Sequence, residues 1–449
     1  MQTAIVVLAA GQGSRMRSSR PKVLHEVGGL PLLRHALRSA AALNPARRIV
    51  VTGHGGEAVA AAARAEGRDI ECITQTEQNG TGHAVAQARA ALADFDGDLV
   101  VLYGDTPFIT GTTLERLAAA RTGGADMAVL GFEAADPTGY GRLITGPEGL
   151  ERIVEERDAS QAERAVRLCN SGVMAAPAGL LFDLIGGVGT DNAKGEQYLT
   201  DIIALGRARG LSAAVVACPE AETLGINTRA DLAAAEAVFQ AGARRAALAA
   251  GATLTAPETV FFAHDTTLAE DVTVAPFVTF GPGVSVGRGA EIRSFSHLEG
   301  AQVAAGAQIG PYARLRPGAE IGAGARIGNF VEVKAAEIGA GAKVNHLSYV
   351  GDAGIGEGAN LGAGTITCNY DGVFKHRTQI GADAFIGSNS ALVAPVTVAE
   401  GGYVASGSTV TRDVGPGDLA FGRARQENKP GLGARLMKKL RQAKAAGRG

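Results

Sequence analysis

VTVAPFVTFGPGVSVGRGAEIRSFSHLEG, residues 272–300, carries a spacing that neither a helix nor a flat sheet produces. Val274, Phe280, Val286, Ile292 and Leu298 stand six residues apart, and Leu268 precedes them at the same step. The count slips by one and resumes at Val303, Ile309, Leu315, Ile321, Ile327 and Val333. It slips again to Ile338, Val344 and Val350, and again to Ile355 and Leu361. After a longer break the ladder closes with Ile380, Ile386, Leu392, Val398, Val404 and Val410. A helix repeats every 3.6 residues and a strand every 2. A period of six, with glycine beside many of the apolar residues, is the hexapeptide pattern of a parallel β-helix. Each hexad supplies one short strand and one turn, and its apolar residue points into a narrow triangular core. Gly and Ala suit the corners, where the backbone must be permissive. A glycine-rich β-sandwich is the alternative, but sandwich strands do not hold a six-residue register over so long a run. The ladder therefore predicts a left-handed parallel β-helix.

A chain of 449 residues has room for roughly two to four domains. Its 46% hydrophobic and 20% charged content is that of a soluble globular protein with large cores. A net charge of −2 gives no global draw towards nucleic acid or an anionic membrane, so neither is expected as a partner. The apolar run at 5–10 breaks at Gly11, too short for a signal or membrane segment. Cys72, Cys169, Cys218 and Cys368 lack a metal-ligand spacing, and reduced thiols in a cytoplasmic setting are expected.

Ahead of the ladder, strand-like runs at 5–9, 49–52, 99–103, 127–132 and 213–218 alternate with Ala-rich helical stretches such as 32–43 and 83–92. This predicts an α/β Rossmann-like domain over 1–227, its mostly parallel sheet covered on both faces. Such sheets bind ligands beyond the carboxyl ends of their strands. Thr228 with Asp231 resembles a capping box, and a linker helix is expected over 228–251. The β-helix domain is then 252–449, and its basic end, with Lys438, Lys439, Arg441 and Lys444, is expected to be solvated and frayed.

The first strand runs into Ala10-Gly11-Gln12-Gly13-Ser14-Arg15-Met16, a glycine turn between strand and helix of the kind that lets backbone N–H groups approach a phosphate. It lacks the third glycine of a dinucleotide fingerprint and the Lys-Ser/Thr of a P-loop. Arg15 and Lys22 add two cations that suit a triphosphate, or are plain surface charge. Asp105 ends a strand after Gly104, placed either to hold Mg²⁺ or to cap the next helix. Asn227 is likewise a cap or a second oxygen ligand.

Leu8-Ala9-Ala10-Gly11-x-Gly13-Ser14-x-Met16 with Pro21-Lys22 resembles the signature of nucleotide-sugar pyrophosphorylases. Followed by the hexad ladder, nearly the whole chain is similar to the bacterial bifunctional N-acetylglucosamine-1-phosphate uridylyltransferase / glucosamine-1-phosphate N-acetyltransferase family. The resemblance implies a pyrophosphorylase domain with a UTP and UDP-sugar site at Leu8, Ala9, Ala10, Gly11 and Lys22. It implies uracil contacts from Gln75, Gly80 and Thr81 in Gln75-Thr76-Glu77-Gln78-Asn79-Gly80-Thr81-Gly82-His83. Tyr103-Gly104-Asp105 matches the metal-bearing strand end, with Asn227 as the second protein ligand of Mg²⁺. Pro137-Thr138-Gly139-Tyr140-Gly141-Arg142, Glu155 and Asn170 fall where that family binds the N-acetylglucosamine moiety, whereas Glu156-Arg157 and Ser171 depart from its usual residues. The implied catalysis is alignment and charge neutralisation by the metal, Arg15 and Lys22, because the sugar phosphate is already a nucleophile.

The ladder also carries polar residues that a passive spacer does not need. Arg316 follows Leu315, Lys334 follows Val333, and Lys375 lies in the long break. They are either a phosphate site or solvated charge. His346 is a residue of the type whose ordinary pKa suits a general base, though a lone His is more often structural. The resemblance implies that Arg316, Lys334, Tyr349, Asn360 and Lys375 surround glucosamine 1-phosphate. It makes His346 the base for acetyl transfer, helped by Glu332 and Asn369. It assigns acetyl-CoA to Ala363, Asn369, Tyr370, Ser388, Ser406 and Arg423, held between neighbouring chains of a homotrimer. The implied product serves peptidoglycan and lipopolysaccharide synthesis. Two other readings stay open at this level: a pyrophosphorylase whose ladder is only scaffold, and a non-enzymatic trimeric binding module.

Overall fold

The computed structural model describes residues 2–447. Contacts divide the chain into two units, Met1–Ala243 and Arg244–Gly449.

In the first unit the apolar runs form one sheet, in the order Ala213–Ala217, Met127–Glu133, Leu168–Pro177, Asp98–Tyr103, Thr3–Ala9, Arg47–Thr52, Ile70–Thr74. Thr3–Ala9 is parallel to both neighbours, with Val6 opposite Ile49 and Val101. Its residues alternate between two cores: Val6 packs with Leu99 and Leu181 on one face, and Val7 with Leu33 and Leu117 on the other. That is why its sequence is apolar without interruption. Two departures from the expected sheet matter. Leu168–Pro177 is antiparallel to both neighbours, and its register shifts between Asn170 and Met174. A hairpin of Arg142–Gly146 and Gly149–Val154 extends from it. All three strands are broken by Gly, Ser and Asn or by charge, so none shows the continuous run of its neighbours.

The helix Arg229–Ala249 starts as its capping residues predict: Asp231 Oδ2 accepts the N–H groups of Asn227 and Thr228, both at 2.9 Å. It is more than a linker. Leu232, Ala235 and Phe239 pack on Val27, Leu32 and Ile226, and Gly28 donates its N–H to Glu236 at 2.9 Å. This is why contacts part the chain at Ala243 instead of at the helix start.

In the second unit the hexads become two- to seven-residue strands, three to a coil, paired in parallel with the coils before and after. One face stacks Thr273, Glu291, Gln308, Arg326, Lys343 and Asn360 in register. A second stacks Thr279, His297, Arg314, Glu332 and Tyr349, and a third Ser285, Gln302, Glu320 and Glu337. The six-spaced residues line the interior, with Leu298, Leu315, Val333 and Val350 fully buried one above another. Where the sequence count slips by one, the coil is a residue shorter and the stacking is kept. The long break is a hairpin over 369–377, so that Asn360 pairs with Phe385 on the next coil. The basic end is not frayed in the described residues. Leu432–Ala445 is an α-helix, with Leu432, Leu436, Met437 and Leu440 exposed.

One corner departs from the small-residue rule. Phe277, Phe295, Tyr312, Phe330 and Leu347 occupy it on successive coils, with φ of 52–61°. The left-handed region disfavours bulky side chains by about 1–3 kcal/mol each. The four rings stack with centroids 5.1, 4.8 and 5.1 Å apart.

A fragment of residues 1–243 is expected to unfold cooperatively in urea. One ending at 228 is expected to be weaker by about 3 kcal/mol or more, because it exposes the surfaces that Leu232, Ala235 and Phe239 cover. Equal denaturation midpoints, followed by circular dichroism, would contradict this account of the helix.

Candidate functional sites

In the first unit a cavity of about 460 Å³ opens at the carboxyl ends of Thr3–Ala9 and Asp98–Tyr103. Leu8, Ala9, Ala10 and Gly11 form one wall. Gly13 has φ 63°, and a Cβ there would lie 2.5 Å from Lys22 Cβ. The glycine therefore both turns the loop and lets Lys22 pass beneath it. The residues that follow, Ser14–Met16, form a single 3-10 turn where a helix was expected. Any grip on phosphate must come from loop N–H groups and cations, since one short turn has little dipole.

Lys22 Nζ donates to Asp105 Oδ2 and, at 3.1 Å, to Asn227 Oδ1. Arg15 donates to the same Asn227 oxygen at 2.9 Å. Neither oxygen is spent on a cap. The helix after Asp105 is capped by Thr110, and the Asn227 turn by Thr228 and Asp231. Among the described residues no group of three or more His, Cys, Asp or Glu side chains is spaced to hold a metal. Asp105 and Asn227 nevertheless converge on one cation, Lys22. Two hard oxygen donors suit Mg²⁺, which usually keeps waters and takes its other ligands from phosphate.

Gln75 is buried, and its amide reaches His83 Nδ1 at 2.9 Å and the Gly80 carbonyl at 3.3 Å. Gln78, not singled out by sequence, donates to the Ala10 carbonyl at 2.9 Å and ties this segment to the glycine loop. At the other end, Gly141, Glu155 and Asn170 come together: a Cβ on Gly141 would lie 3.5 Å from Glu155 Oε1 and 3.6 Å from Asn170 Cβ. Gly172 leaves room for the Tyr103 ring, which a Cβ would approach to 2.6 Å. Burial holds the Tyr103 phenol well above its ordinary pKa. Arg142 is not free for ligand. It is buried and donates to Glu156 at 2.7 Å, which accounts for the unexpected residue beside Glu155. Burial also raises the Glu155 carboxyl, while the Thr200 hydroxyl, donating at 3.2 Å, and Lys194 pull it down.

In the second unit Arg316, Lys334 and Lys375 come from separate coils and the hairpin. The Lys375 ammonium beside Lys334 lowers its pKa, followed by desolvation and Arg316. Of the three, Arg316 already has a carboxylate partner in Glu332, at 2.8 Å. Gly351 makes space for Tyr349, since a Cβ there would lie 2.4 Å from the phenol oxygen. Lys375 is held by the hairpin, whose Asp371 is drawn down to about 2 by hydrogen bonds from His376 and from the N–H groups of Phe374 and Val373. Asn360 lies on the neighbouring face, above Lys343.

His346 ends the strand Lys343–His346, beside Asn329 of the previous coil. Its Nδ1 is 2.7 Å from Asn329 Oδ1. A carbonyl oxygen can only accept, so in the neutral ring Nδ1 carries the proton and Nε2 is the nitrogen with the lone pair. Asn329 was missed in sequence; only coil register puts it there. The expected helpers are engaged elsewhere: Glu332 accepts from Arg316 at 2.8 Å, and Asn369 donates to Asp352.

Ala363, Ser388 and Ser406 form a column. The N–H of Asn389 donates to the Ala363 carbonyl and that of Gly407 to the Ser388 carbonyl, both at 2.7 Å. Arg423 Cδ lies 3.7 Å from where a Gly407 Cβ would stand, which extends the column to a cation. Tyr370 is exposed on the hairpin. All four cysteines are free, and no helix among the described residues is long and apolar enough to cross a membrane.

Residues 5–170 match the MobA-like NTP transferase domain, and residues 300–335 match the bacterial transferase hexapeptide (six repeats). The second match fits the left-handed β-helix. Curated relatives align over almost the full length. "Bifunctional protein GlmU" of Ruegeria sp. (strain TM1040) is 61% identical over 99% of both chains. The protein of that name from Dinoroseobacter shibae is also 61% identical over 99% of both, and that of Paracoccus denitrificans is 58% identical over 98% of both. A solved structure of UDP-glucose pyrophosphorylase complexed with UDP-glucose covers 54% of this chain and 100% of its own, at 16% identity and a TM-score of 0.44.

A carboxyl whose pKa is raised on folding opposes the folded state once it ionises. Stability from this group is therefore lost as pH rises through the folded value. Glu155→Gln is expected to raise the melting temperature at pH 8, with the gain vanishing below about pH 4, where the wild-type carboxyl is protonated in both states. A gain of equal size at both pH values in calorimetry would contradict burial as the cause.

Proposed function

The chain belongs to the bifunctional GlmU family, and from that membership we propose how its residues divide the work. It is a bifunctional enzyme of UDP-N-acetylglucosamine synthesis. It transfers acetyl from acetyl-CoA to the amine of glucosamine 1-phosphate. It then transfers uridylyl from UTP to N-acetylglucosamine 1-phosphate, releasing pyrophosphate.

In uridylyl transfer, a phosphate oxygen of the sugar phosphate bonds to the α-phosphorus of UTP as the bond to pyrophosphate breaks. Leu8, Ala9, Ala10 and Gly11 cradle the nucleotide phosphates, and Arg15 and Lys22 take up charge on the leaving group. Gln75, Gly80 and Thr81 read the uracil; Tyr103, Gly141, Glu155 and Asn170 hold the sugar. Asp105 and Asn227 hold Mg²⁺, which supplies further charge neutralisation when bound. The observation that carries this half is the convergence of Arg15 and Lys22 on the oxygens of Asp105 and Asn227.

In acetyl transfer, the sugar amine attacks the thioester carbon, His346 Nε2 accepts the amine proton, and the C–S bond breaks to release coenzyme A as its thiol. Asn329 orients the ring. Arg316, Lys334 and Lys375 bind the phosphate; Tyr349 and Asn360 position the sugar. Ala363, Asn369, Tyr370, Ser388, Ser406 and Arg423 hold acetyl-CoA. Glu332 acts on the cations instead of on His346, because its carboxylate is paired with Arg316. The lone His with its Nδ1 occupied and the cation cluster favour this reading over a scaffold role.

A cytoplasmic setting is supported by the four free thiols. A homotrimer is supported by the aromatic corner. Phe277, Phe295, Tyr312 and Phe330 are 47–56% exposed on a strained backbone, and the ridge ends at Leu347 beside His346. A ridge with the pitch of the coils is best covered by another copy of the same pitch.

His346→Ala is expected to lower acetyl transfer at least about 100-fold while uridylyl transfer stays within about twofold, and Asp105→Ala to do the reverse. Thiol release from acetyl-CoA and pyrophosphate release from UTP measure the two; parallel losses in a folded variant would contradict separate sites. Phe295→Ser with Tyr312→Ser is expected to dissociate the trimer in sedimentation equilibrium. An unchanged mass would remove the aromatic ridge from the interface.

A further inference from the structure

Lys194 lies on an irregular segment between Ile185 and Asp201, and none of the motifs read from the sequence includes it. It lines the cavity that also holds Lys22, Tyr103 and Asp105. The segment is tied down on two sides. Asn192 Oδ1 accepts the N–H groups of Lys194 and Glu196 at 3.2 and 3.3 Å, and Asp158 accepts that of Ala193 at 2.9 Å. On the other side Gln197 exchanges backbone hydrogen bonds with Asn79 and Gly82, both at 2.9 Å, and Thr81 Oγ1 accepts the Leu199 N–H at 3.0 Å. Lys194 is thus suspended between the uracil segment and the strand end that carries Glu155.

Its charge is not spent. Among the described residues no carboxylate lies within ion-pair distance of Lys194, whereas Lys22 is paired with Asp105. Its Nζ stands 5.8 Å from the Tyr198 ring centre, a contact that steadies the ammonium without neutralising it. It is close enough to Glu155 for its field to be felt there, on the sugar side of the cavity. An unneutralised lysine facing a cavity on a braced loop is built to meet an anion.

We propose that Lys194 is a third cation of the uridylyl-transfer site and contacts the phosphate of the incoming sugar 1-phosphate. This rests on the uridylyl-transfer reading above. Arg15 and Lys22 serve the triphosphate side; Lys194 faces them from the acceptor side.

The test is steady-state uridylyl transfer by the full-length wild type, Lys194→Met and Lys194→Arg. Met keeps the apolar stem over Tyr198 and removes the charge; Arg keeps the charge. The expected result is a rise of about tenfold in KM for N-acetylglucosamine 1-phosphate with Met, largely restored by Arg. KM for UTP stays within about twofold, and acetyl transfer is unchanged. The dependence of the sugar phosphate KM on salt flattens in the Met variant, which a merely structural lysine would not cause. A KM unchanged by Met, a rise confined to UTP, or an Arg variant as impaired as Met overturns the proposal while leaving uridylyl transfer itself standing. A wild type with no uridylyl transfer overturns the reading beneath it.

Discussion

The candidate side chains carried by the coils of the second unit depend on one constraint: a residue must sit directly above its counterpart one coil earlier. Parallel pairing enforces this, and the buried aliphatic column keeps it in phase. A slip of one residue in the sequence is absorbed by shortening a coil, because a shifted register would turn the interior residue out. From this stacking come the pairing of Asn329 with His346, the aromatic corner, and the column from Ala363 to Ser406. None of these residues is near its partner in sequence.

Stacking has a second consequence, for charge. Cations placed one coil apart cannot avoid one another as they would on a flexible surface. Arg316 and Lys334, joined by Lys375 from the hairpin, are held close enough to depress the Lys334 pKa. Such repulsion opposes folding and is relieved by any anion placed among the three. The single carboxylate of Glu332 offsets it only on the Arg316 side.

The first unit solves the same problem by removing side chains instead of stacking them. Gly13 admits Lys22, Gly172 admits the Tyr103 ring, and Gly141 brings Glu155 and Asn170 together. Its sheet places Asp105 at a strand's carboxyl end, while Asn227 is delivered by the turn into a helix far along the chain. Lys22 occupies the point between their oxygens. The register of Leu168–Pro177 shifts between Asn170 and Met174, and Gly172, where the Tyr103 ring packs, lies within that shift.

The six-residue period by itself determined the β-helix, because no other common architecture repeats apolar residues at that interval. Continuous apolar runs likewise determined five of the strands in the first sheet, and the glycine loop with Lys22 marked one wall of its cavity. The antiparallel strand was not legible: Asn170, Ser171 and Gly172 in its first half break the apolar pattern that reveals a strand. Nor was the tail helix, whose charges read as solvation. Only tertiary structure decided between paired readings of single residues. Asp105 and Asn227 are freed from capping because Thr110, Thr228 and Asp231 do that work, Arg142 is withdrawn into an ion pair, and His346 gains Asn329. Those outcomes depend on which side chains meet across hundreds of residues, and linear spacing holds no information about distances of that kind.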